Sequence, residues 1–170
     1  MVLRVIGISF IALFFISAGV SVDVSIQNGK KINRTLKAIW PDDEFESVEM
    51  TSQHLLPGER AYEVKVNGVT EAYFLTAQAR SKFDVFDFML VFDTEGVIIE
   101  PKILVYREDY GGEIASKRWL RQFIGMSKED QMALGKDIRN VAGATISCEA
   151  ASLGFKDAST RIADIINEQR

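Results

Sequence analysis

The sequence predicts an α+β domain in which a mostly antiparallel sheet packs against helices. Three observations support this fold class. Strand-like segments follow one another between residues 46 and 106, turn signals separate neighbouring segments, and a long amphipathic pattern closes the chain. The chain has 170 residues, of which 47% are hydrophobic, and this is sufficient for a single domain with a buried core.

The first 22 residues have the composition of a signal peptide or a membrane anchor. Arg4 precedes 18 residues without a charge, numbers 5–22. This length fits a cleaved signal or a retained spanning helix, and a buried structural helix is the alternative. With Arg4 held in the cytoplasm, both signal interpretations place the protein in the periplasm or on the outer face of the cytoplasmic membrane. We therefore divide the chain into a signal or anchor (1–22), an N-terminal helix and lead-in (23–60), and the main domain (61–170).

The first helix and the strands follow from hydrophobic spacing. Residues 30–40 have apolar positions at helical spacing and precede Pro41, which ends the helix. Strands are expected in three segments, with Asn67-Gly68 as the turn between the last two: 46–53, 60–68 and 69–79. Residues 83–92 and 97–106 form a predicted hairpin around a turn at 93–96, and Pro101 indicates an edge strand or a bulge.

Three helices are predicted after the sheet. The first covers residues 113–126 and ends near Gly125, and the second starts at Ser127 with Asp130 in its first turn and ends near Gly135. The last helix runs from Ser147 to the end of the chain, with Ser147 as its cap. Its predicted buried face consists of Ala151, Phe155, Ala158, Ile162 and Ile165.

Composition excludes several classes of function. A net charge of -4 and a pI near 5.1 argue against nucleic-acid binding, and the basic residues are spread along the chain without a polybasic segment for an anionic membrane. Cys148 is the only cysteine and His54 the only histidine, so an internal disulfide, a lipid-anchored cysteine and most histidine-based metal or catalytic sites are excluded. Cys148 itself is a packing residue or a catalytic thiol. No Gly-x-Gly-x-x-Gly follows a strand, which argues against a nicotinamide-dependent reductase.

The stretch "NVAGATISCEAAS", residues 140–152, places small residues immediately before the last helix. Gly143 and Ala144 leave backbone amides uncovered, and the positive end of a helix dipole stabilises an anion. A phosphate would therefore be stabilised beside the hydroxyl of Thr145. A tight packing turn is the alternative explanation.

Two segments resemble the FMN-binding domain family, which includes the flavin-carrying C subunit of the sodium-translocating NADH:quinone oxidoreductase and the G subunit of the Rnf complex. "VAGATIS" is similar to its Ser-Gly-Ala-Thr element, and "VYREDYGGEIASKRWLRQFIG" to its Glu-Thr-Pro-Gly-x-Gly loop and following helix. The likeness extends from about residue 61 to residue 163. Arg139 and Ala142 depart from the family pattern, which has Asp and Ser/Thr at these positions where FMN is esterified.

The resemblance implies an exported or membrane-tethered FMN flavoprotein that transfers electrons and has no catalytic or metal-binding residues of its own. FMN would be held through its phosphate at Thr145, either as an ester made by a flavin transferase or non-covalently. Redox proteins, including a membrane electron-transport complex, would be its partners. The alternative is a cofactor-free exported module that binds another small ligand in the same pocket.

The implied cofactor-binding residues fall into three groups. The phosphate group comprises Gly143, Ala144, Thr145, Ile146 and Ser147, with Lys117 directed toward it. The upstream loop contributes Glu108, Gly111 and Gly112, and the apolar walls are Tyr106, Tyr110 and Trp119. For the aromatic residues the alternative is ordinary core packing, and for Glu108 and Lys117 it is a solvated surface position.

Overall fold

The computed structural model describes residues 21–170, with side chains from residue 28 onward. The signal or anchor segment predicted over residues 1–22 lies outside this range except for its last two residues. Among the helices that the described range contains, none has the length and apolar content that a membrane span requires.

One sheet and three α-helices make up the described part of the chain. Helix α1 covers Ser21–Ile39, α2 Lys117–Leu120 and α3 Thr145–Glu168, and short 3-10 turns at Gly112–Ala115 and Arg121–Phe123 flank α2. The strands are β1 Phe45–Met50, β2 Arg60–Val66, β3 Val69–Arg80, β4 Val85–Asp93 and β5 Ile98–Val105.

The five strands form an antiparallel meander in the order β1-β2-β3-β4-β5, which confirms the predicted α+β class. Asn67 and Gly68 both have positive φ, 51° and 83°, and this is the conformation that a two-residue hairpin turn requires. In the β4–β5 turn, the Asp93 carboxylate accepts hydrogen bonds from the amides of Glu95 and Val97. Pro101 lies on β5, an edge strand, as its missing amide predicts.

Both faces of the sheet are buried. Phe86, Phe88, Leu90 and Phe92 of β4 belong to the core cluster that contains the buried residues of α3. The intervening residues Met89 and Val91 belong to the cluster that contains Leu36 of α1. Strand β4 therefore separates α1 from α3, because successive side chains of a strand point to opposite faces.

The predicted first helix is confirmed, and within the described residues it begins earlier, at Ser21. Ile32, Leu36 and Ile39 pack against the sheet, and the helix ends two residues before Pro41. Lys31 Nζ also donates a hydrogen bond to the carbonyl of Leu104 on β5. Apolar contacts and this bond together hold α1 on its face of the sheet.

The last helix is confirmed, and all five predicted core positions of α3 are buried. Its start was predicted two residues too late, because α3 begins at Thr145 and its N-cap position is Ala144. Ser147 is therefore not the cap. Ser147 is 4% exposed, and its hydroxyl is hydrogen-bonded to other side chains. The hydroxyl is therefore not available to the first amides of the helix.

The segment between the sheet and α3 contains less helix than predicted. The helix expected over residues 113–126 is broken into two 3-10 turns and the four residues of α2. The structure has no helix between Phe123 and Thr145, so the prediction of a helix from Ser127 was wrong. Asp130 accepts from the Ser127 amide, and Met132 and Gly135 have φ of 53° and 82°, so local side-chain bonds and left-handed residues replace the helical pattern.

Helix α3 approaches the sheet most closely at Gly154. A Cβ atom at this position would lie 3.3 Å from Ala79 Cβ and 3.3 Å from Phe88 Cε1, which is tighter than ordinary contact. The next residue, Phe155, places its ring centroid 5.0 Å from that of Phe88 and 4.8 Å from that of Phe123. These contacts fix the position of α3 along the sheet.

Replacement of Phe155 by alanine should therefore lower the free energy of unfolding by about 3–5 kcal/mol, since it removes a fully buried aromatic ring and leaves a cavity. Leu153, which is 61% exposed on the same helix, provides the control. Leu153→Ala should change the free energy of unfolding by less than about 0.5 kcal/mol. Urea denaturation followed by circular dichroism measures both. Equal effects of the two substitutions would contradict the packing described for α3.

Candidate functional site

The N-terminus of α3 is uncapped by any side chain. Ala144 occupies the N-cap position, and its side chain has no oxygen that could accept a hydrogen bond. Its backbone carbonyl accepts a hydrogen bond from the amide of Cys148 at 2.8 Å. The amides of Thr145, Ile146 and Ser147 precede it and have no carbonyl within the helix to bond. These three amides lie at the positive end of a helix of 24 residues, a position at which negative charge is stabilised.

The loop before α3 directs these amides outward. Gly143 has a φ of 83°, a left-handed conformation that L side chains rarely adopt. Asn140 braces the loop on both sides, because its Nδ2 donates to Thr145 Oγ1 at 2.8 Å and its Oδ1 accepts from the Val141 amide at 2.8 Å. Thr145 is exposed, and its Oγ1 accepts the Asn140 bond, so the hydroxyl proton stays available to a ligand.

A chain of hydroxyl groups connects α3 to the loop after β5. Ser147 Oγ lies 2.9 Å from Ser81 Oγ and 2.7 Å from the Tyr106 hydroxyl, which donates to the carbonyl of Tyr110 at 2.7 Å. Ser81 and Ser147 are both buried. Three segments distant in sequence are thereby held together at the start of α3.

Gly111 is the closest neighbour of this hydroxyl chain. Its φ is 88°, and a Cβ atom there would lie 2.5 Å from Ser147 Oγ and 2.6 Å from the Tyr106 hydroxyl oxygen. Both the backbone conformation and the space therefore require glycine. Gly112, which is exposed, has ordinary room, since its Cβ would lie 3.7 Å from Tyr106 Cδ1.

Glu108 braces the loop between β3 and β4. One carboxylate oxygen accepts the amides of Phe83 and Asp84 at 2.8 and 2.9 Å. Hydrogen bonds from the amides of Asp84 and Phe83 hold the pKa of the Glu108 carboxyl below its ordinary value. Glu108 is thus ionised over the neutral range and orients the loop that carries Phe83.

These segments enclose a cleft of about 700 Å³. Seven of the sequence-predicted residues line it: Glu108, Tyr110, Gly143, Ala144, Thr145, Ile146 and Ser147. The cleft has an exposed apolar border, because Tyr110 is 82% exposed, Phe83 73% and Ile146 49%. Solvent-exposed aromatic rings thus stand beside the amides at the start of α3.

Sequence reasoning missed the contribution of the β3–β4 loop. Lys82, Phe83 and Asp84 line the cleft, and Lys82 Nζ lies 4.8 Å from the centroid of the Phe83 ring. The signal was the short run Ser-Lys-Phe-Asp at residues 81–84, which interrupts two strand patterns and which the sequence analysis assigned in part to the following strand. Lys82 is exposed and provides the cationic side chain that was expected from Lys117.

Arg107 and Asp109, also missed, complete the lining of the cleft. The Arg107 guanidinium makes two bonds to the carboxylate of Asp87, at 2.8 and 3.1 Å, and one to the Val85 carbonyl. Burial raises the pKa of Asp87, but the hydrogen bonds from Arg107, Asn28 and Gln78 outweigh it, and the net direction is downward. Arg107 is therefore engaged in an ion pair below the cleft.

Lys117 and Trp119 lie away from the cleft. Lys117 lines two clefts beside α1 and β5. Trp119 is 3% exposed, its Nε1 donates to the Arg139 carbonyl at 2.8 Å, and its ring packs on Phe123. Trp119 thus supports the loop before α3 from the core side. Gly112 packs beside the ring of Tyr106 without lining the cleft.

No family model and no curated protein matches the chain. The relation to the FMN-binding domain family therefore stands on the two motifs around Gly111 and Thr145, and it remains a resemblance. In the part of the chain that the structure describes, no cluster of histidine, cysteine and carboxylate side chains could hold a metal ion. The cleft is lined by backbone amides, hydroxyl groups and aromatic rings. Its charged side chains are the cations Lys82 and Arg107 and the carboxylates Asp84, Glu108 and Asp109.

The structure predicts different effects for substitutions at the two adjacent glycines. Gly111→Ala should lower the free energy of unfolding by about 1–3 kcal/mol, because alanine is strained at positive φ and its methyl displaces Ser147 and Tyr106. Gly112→Ala should change it by less than about 0.5 kcal/mol. Chemical denaturation of the two variants tests this difference, and a Gly111→Ala protein as stable as the Gly112→Ala protein would contradict the close approach at Gly111.

Proposed function

We propose that the protein is an exported or membrane-tethered flavoprotein that binds FMN and transfers electrons. One observation carries the proposal: the uncapped start of α3 and the exposed rings of Tyr110 and Phe83 line the same cleft. FMN combines the two chemistries that this cleft offers, a dianionic phosphate and a flat aromatic ring system. The resemblance of the two motifs to the FMN-binding domain family supports the same cofactor.

The phosphate fits the start of α3. The amides of Thr145, Ile146 and Ser147 supply three donors, and a phosphate monoester carries a charge of about -1.5 to -2 at neutral pH. Charge-assisted hydrogen bonds of this kind are roughly twice as strong as bonds between neutral groups. Lys82, on the same cleft, adds a cation. Side-chain bulk at Gly143 or Ala144 would obstruct the approach of the phosphate.

The ring system fits the apolar border. Aromatic and aliphatic side chains at Tyr110, Phe83 and Ile146 provide surfaces on which a planar ring can stack. The volume of about 700 Å³ lies within the range of about 300–1,000 Å³ that is usual for small-molecule sites. Glu108, by holding the Phe83 amide, fixes the loop that carries one of these surfaces.

When bound, FMN supplies the electron-accepting and electron-donating chemistry, and the residues of the chain bind and orient it. Thr145 and the neighbouring amides fix the phosphate end, and the exposed rings of Tyr110 and Phe83 leave the other end near the protein surface. Redox partner proteins, including those of a membrane electron-transport complex, could approach this edge. We therefore propose an electron carrier and not an enzyme that converts a substrate of its own.

Thr145 also decides how the cofactor is attached. Its exposed hydroxyl is able to form a phosphoester, and the bond from Asn140 holds Oγ1 in place at the start of the helix. Arg139 and Ala142 replace the Asp and the Ser/Thr of the family pattern, so a flavin transferase that reads those positions would not recognise this loop. Non-covalent binding uses the same amides and requires no transferase.

Thr145→Ala and Thr145→Ser distinguish the two modes in protein co-produced with a flavin transferase. With an ester, the wild type should gain the mass of one FMN less one water and fluoresce in a denaturing gel, and Thr145→Ala should lose both properties. Without an ester, Thr145→Ala should weaken FMN binding by about 0.5–1.5 kcal/mol, or up to about 3 kcal/mol for a bond to a charged group.

Thr145→Ser is the matched control, because it keeps the hydroxyl and should retain non-covalent binding close to that of the wild type. If Thr145→Ala binds FMN as the wild type does in both formats, the cleft at the start of α3 is not the flavin site. If purified wild type takes up no flavin at all, the cofactor-free ligand-binding module replaces the flavoprotein as the function of this cleft.

A further inference from the structure

Basic residues that are distant in sequence come together on one face of the fold. Two clefts of about 440 and 310 Å³ share Glu100, Lys102 and Lys117 in their linings, so they adjoin each other. Helix α1 and the turn after α2 supply the other cations. We define the basic face as the five cationic side chains that line these clefts: Lys31, Arg34, Lys102, Lys117 and Arg121.

The charge of this face is not balanced locally. Among the residues that line the two clefts, Glu100 is the single carboxylate beside the five cations. The ion pairs found among the side chains of residues 28–170 include none of these five residues. The chain as a whole has a formal net charge of -4, so an excess of cations on one face contrasts with the overall charge. Such a face attracts an anionic partner.

The position of α1 identifies the partner. Helix α1 begins at Ser21, within the uncharged stretch 5–22 that the sequence predicts as a signal or an anchor, and it carries Lys31 and Arg34. At 1.5 Å per residue, these two side chains follow Ser21 by about 15–20 Å along the helix axis. A retained anchor would therefore limit the distance of these two residues from the bilayer surface to about 15–20 Å, and a helix that lies along the surface would bring them within a Debye length.

We propose that the basic face binds the surface of a bilayer containing anionic phospholipids. Lysine and arginine side chains near such a surface gain attraction from lipid phosphates over about a Debye length, 8–10 Å. Five cations distributed over two shallow clefts match an array of headgroups better than one small anion. No residue is common to the described linings of these clefts and of the cleft at the start of α3, so the two sites are built from different residues.

This face escaped the sequence analysis because its members are far apart in the chain. Lys31 and Arg34 come from α1, Lys102 comes from β5, and Lys117 and Arg121 come from α2 and the turn after it, so three separate segments contribute. The antiparallel meander places β5 at the edge of the sheet, and α1 packs beside it through the bond from Lys31 to the Leu104 carbonyl. Binding of this face to a bilayer rests on the membrane tether of the proposed function and is independent of FMN.

A fluorescent label on the face tests the proposal in the full-length protein. The native Cys148 is fully buried, so an engineered cysteine at the exposed Ala38, which lines the larger cleft, can be labelled selectively. Thr160→Cys on α3, across the sheet, is the control position. The vesicles contain phosphatidylcholine alone or with phosphatidylglycerol, and both include a nitroxide headgroup lipid that quenches nearby fluorophores. The apolar N-terminal segment can attach the protein to both kinds of vesicle, so attachment alone does not test the basic face. The measured quantity is the quenching of the label, which reports how close the label lies to the vesicle surface.

We expect quenching of the Ala38 label on anionic vesicles only, and little quenching of the Thr160 label on either. Each basic residue near the surface is worth about a fivefold change in affinity, so Lys102→Gln, Lys117→Gln and Arg121→Gln together should weaken docking on the order of 100-fold. The control is a triple variant with the same net charge: Arg80→Gln, Lys128→Gln and Lys136→Gln. These three residues line neither cleft, so this variant should dock as the wild type does.

Circular dichroism establishes that both triple variants are folded, and the loss of wild-type quenching at high salt tests the same attraction without substitutions. Equal quenching of the Ala38 label on neutral and anionic vesicles would overturn the proposal, as would equal losses in the two triple variants. Absence of quenching on anionic vesicles would also overturn it and would favour an acidic protein as the partner of this face.

Discussion

The position of α3 against β3 and β4 is the constraint on which the rest of the structure depends. The helix has 24 residues and is about 36 Å long at 1.5 Å per residue, and its buried residues extend from Ser147 to Ile166. Contacts along this length determine where both ends lie. Gly154 allows close approach to the sheet, and Phe155 packs between Phe88 and Phe123. The N-terminus of α3 is thereby brought to the end of the sheet where the β3–β4 loop and the loop after β5 meet it.

The small residues before α3 follow from this placement. An oxygen-bearing N-cap would satisfy the first amides of the helix and is worth about 1 kcal/mol relative to alanine. The chain has Ala144 at the N-cap position instead. The nearby buried hydroxyl of Ser147 bonds to Ser81 and Tyr106. Alanine at position 144 leaves the first amides of α3 without a side-chain cap and makes the helix less stable. This is consistent with amides that bind an external anion.

Local patterns predicted the parts of the fold that depend on local physics. The Asn67-Gly68 turn, the hairpin of β4 and β5 and the buried face of α3 each follow from short-range patterns, and the structure confirms them. Tertiary placement could not be predicted in the same way. Lys117 was expected to approach the phosphate, yet the short, broken helical segment that carries it turns toward β5. Lys82 reaches the cleft at the start of α3 from a loop of only four residues between β3 and β4. The left-handed Met132 gave no signal in the sequence.

The central claim is that the start of α3 recognises a phosphate attached to a planar ring system. Titration of purified, flavin-free protein with FMN and with riboflavin tests it most directly, because riboflavin has the same ring system and no phosphate. Binding is measured by the change in flavin fluorescence. The account predicts that FMN binds more tightly by about 10- to 100-fold, the equivalent of charged hydrogen bonds worth about 1.5–3 kcal/mol. Equal affinity for the two flavins, or binding of neither, would contradict it.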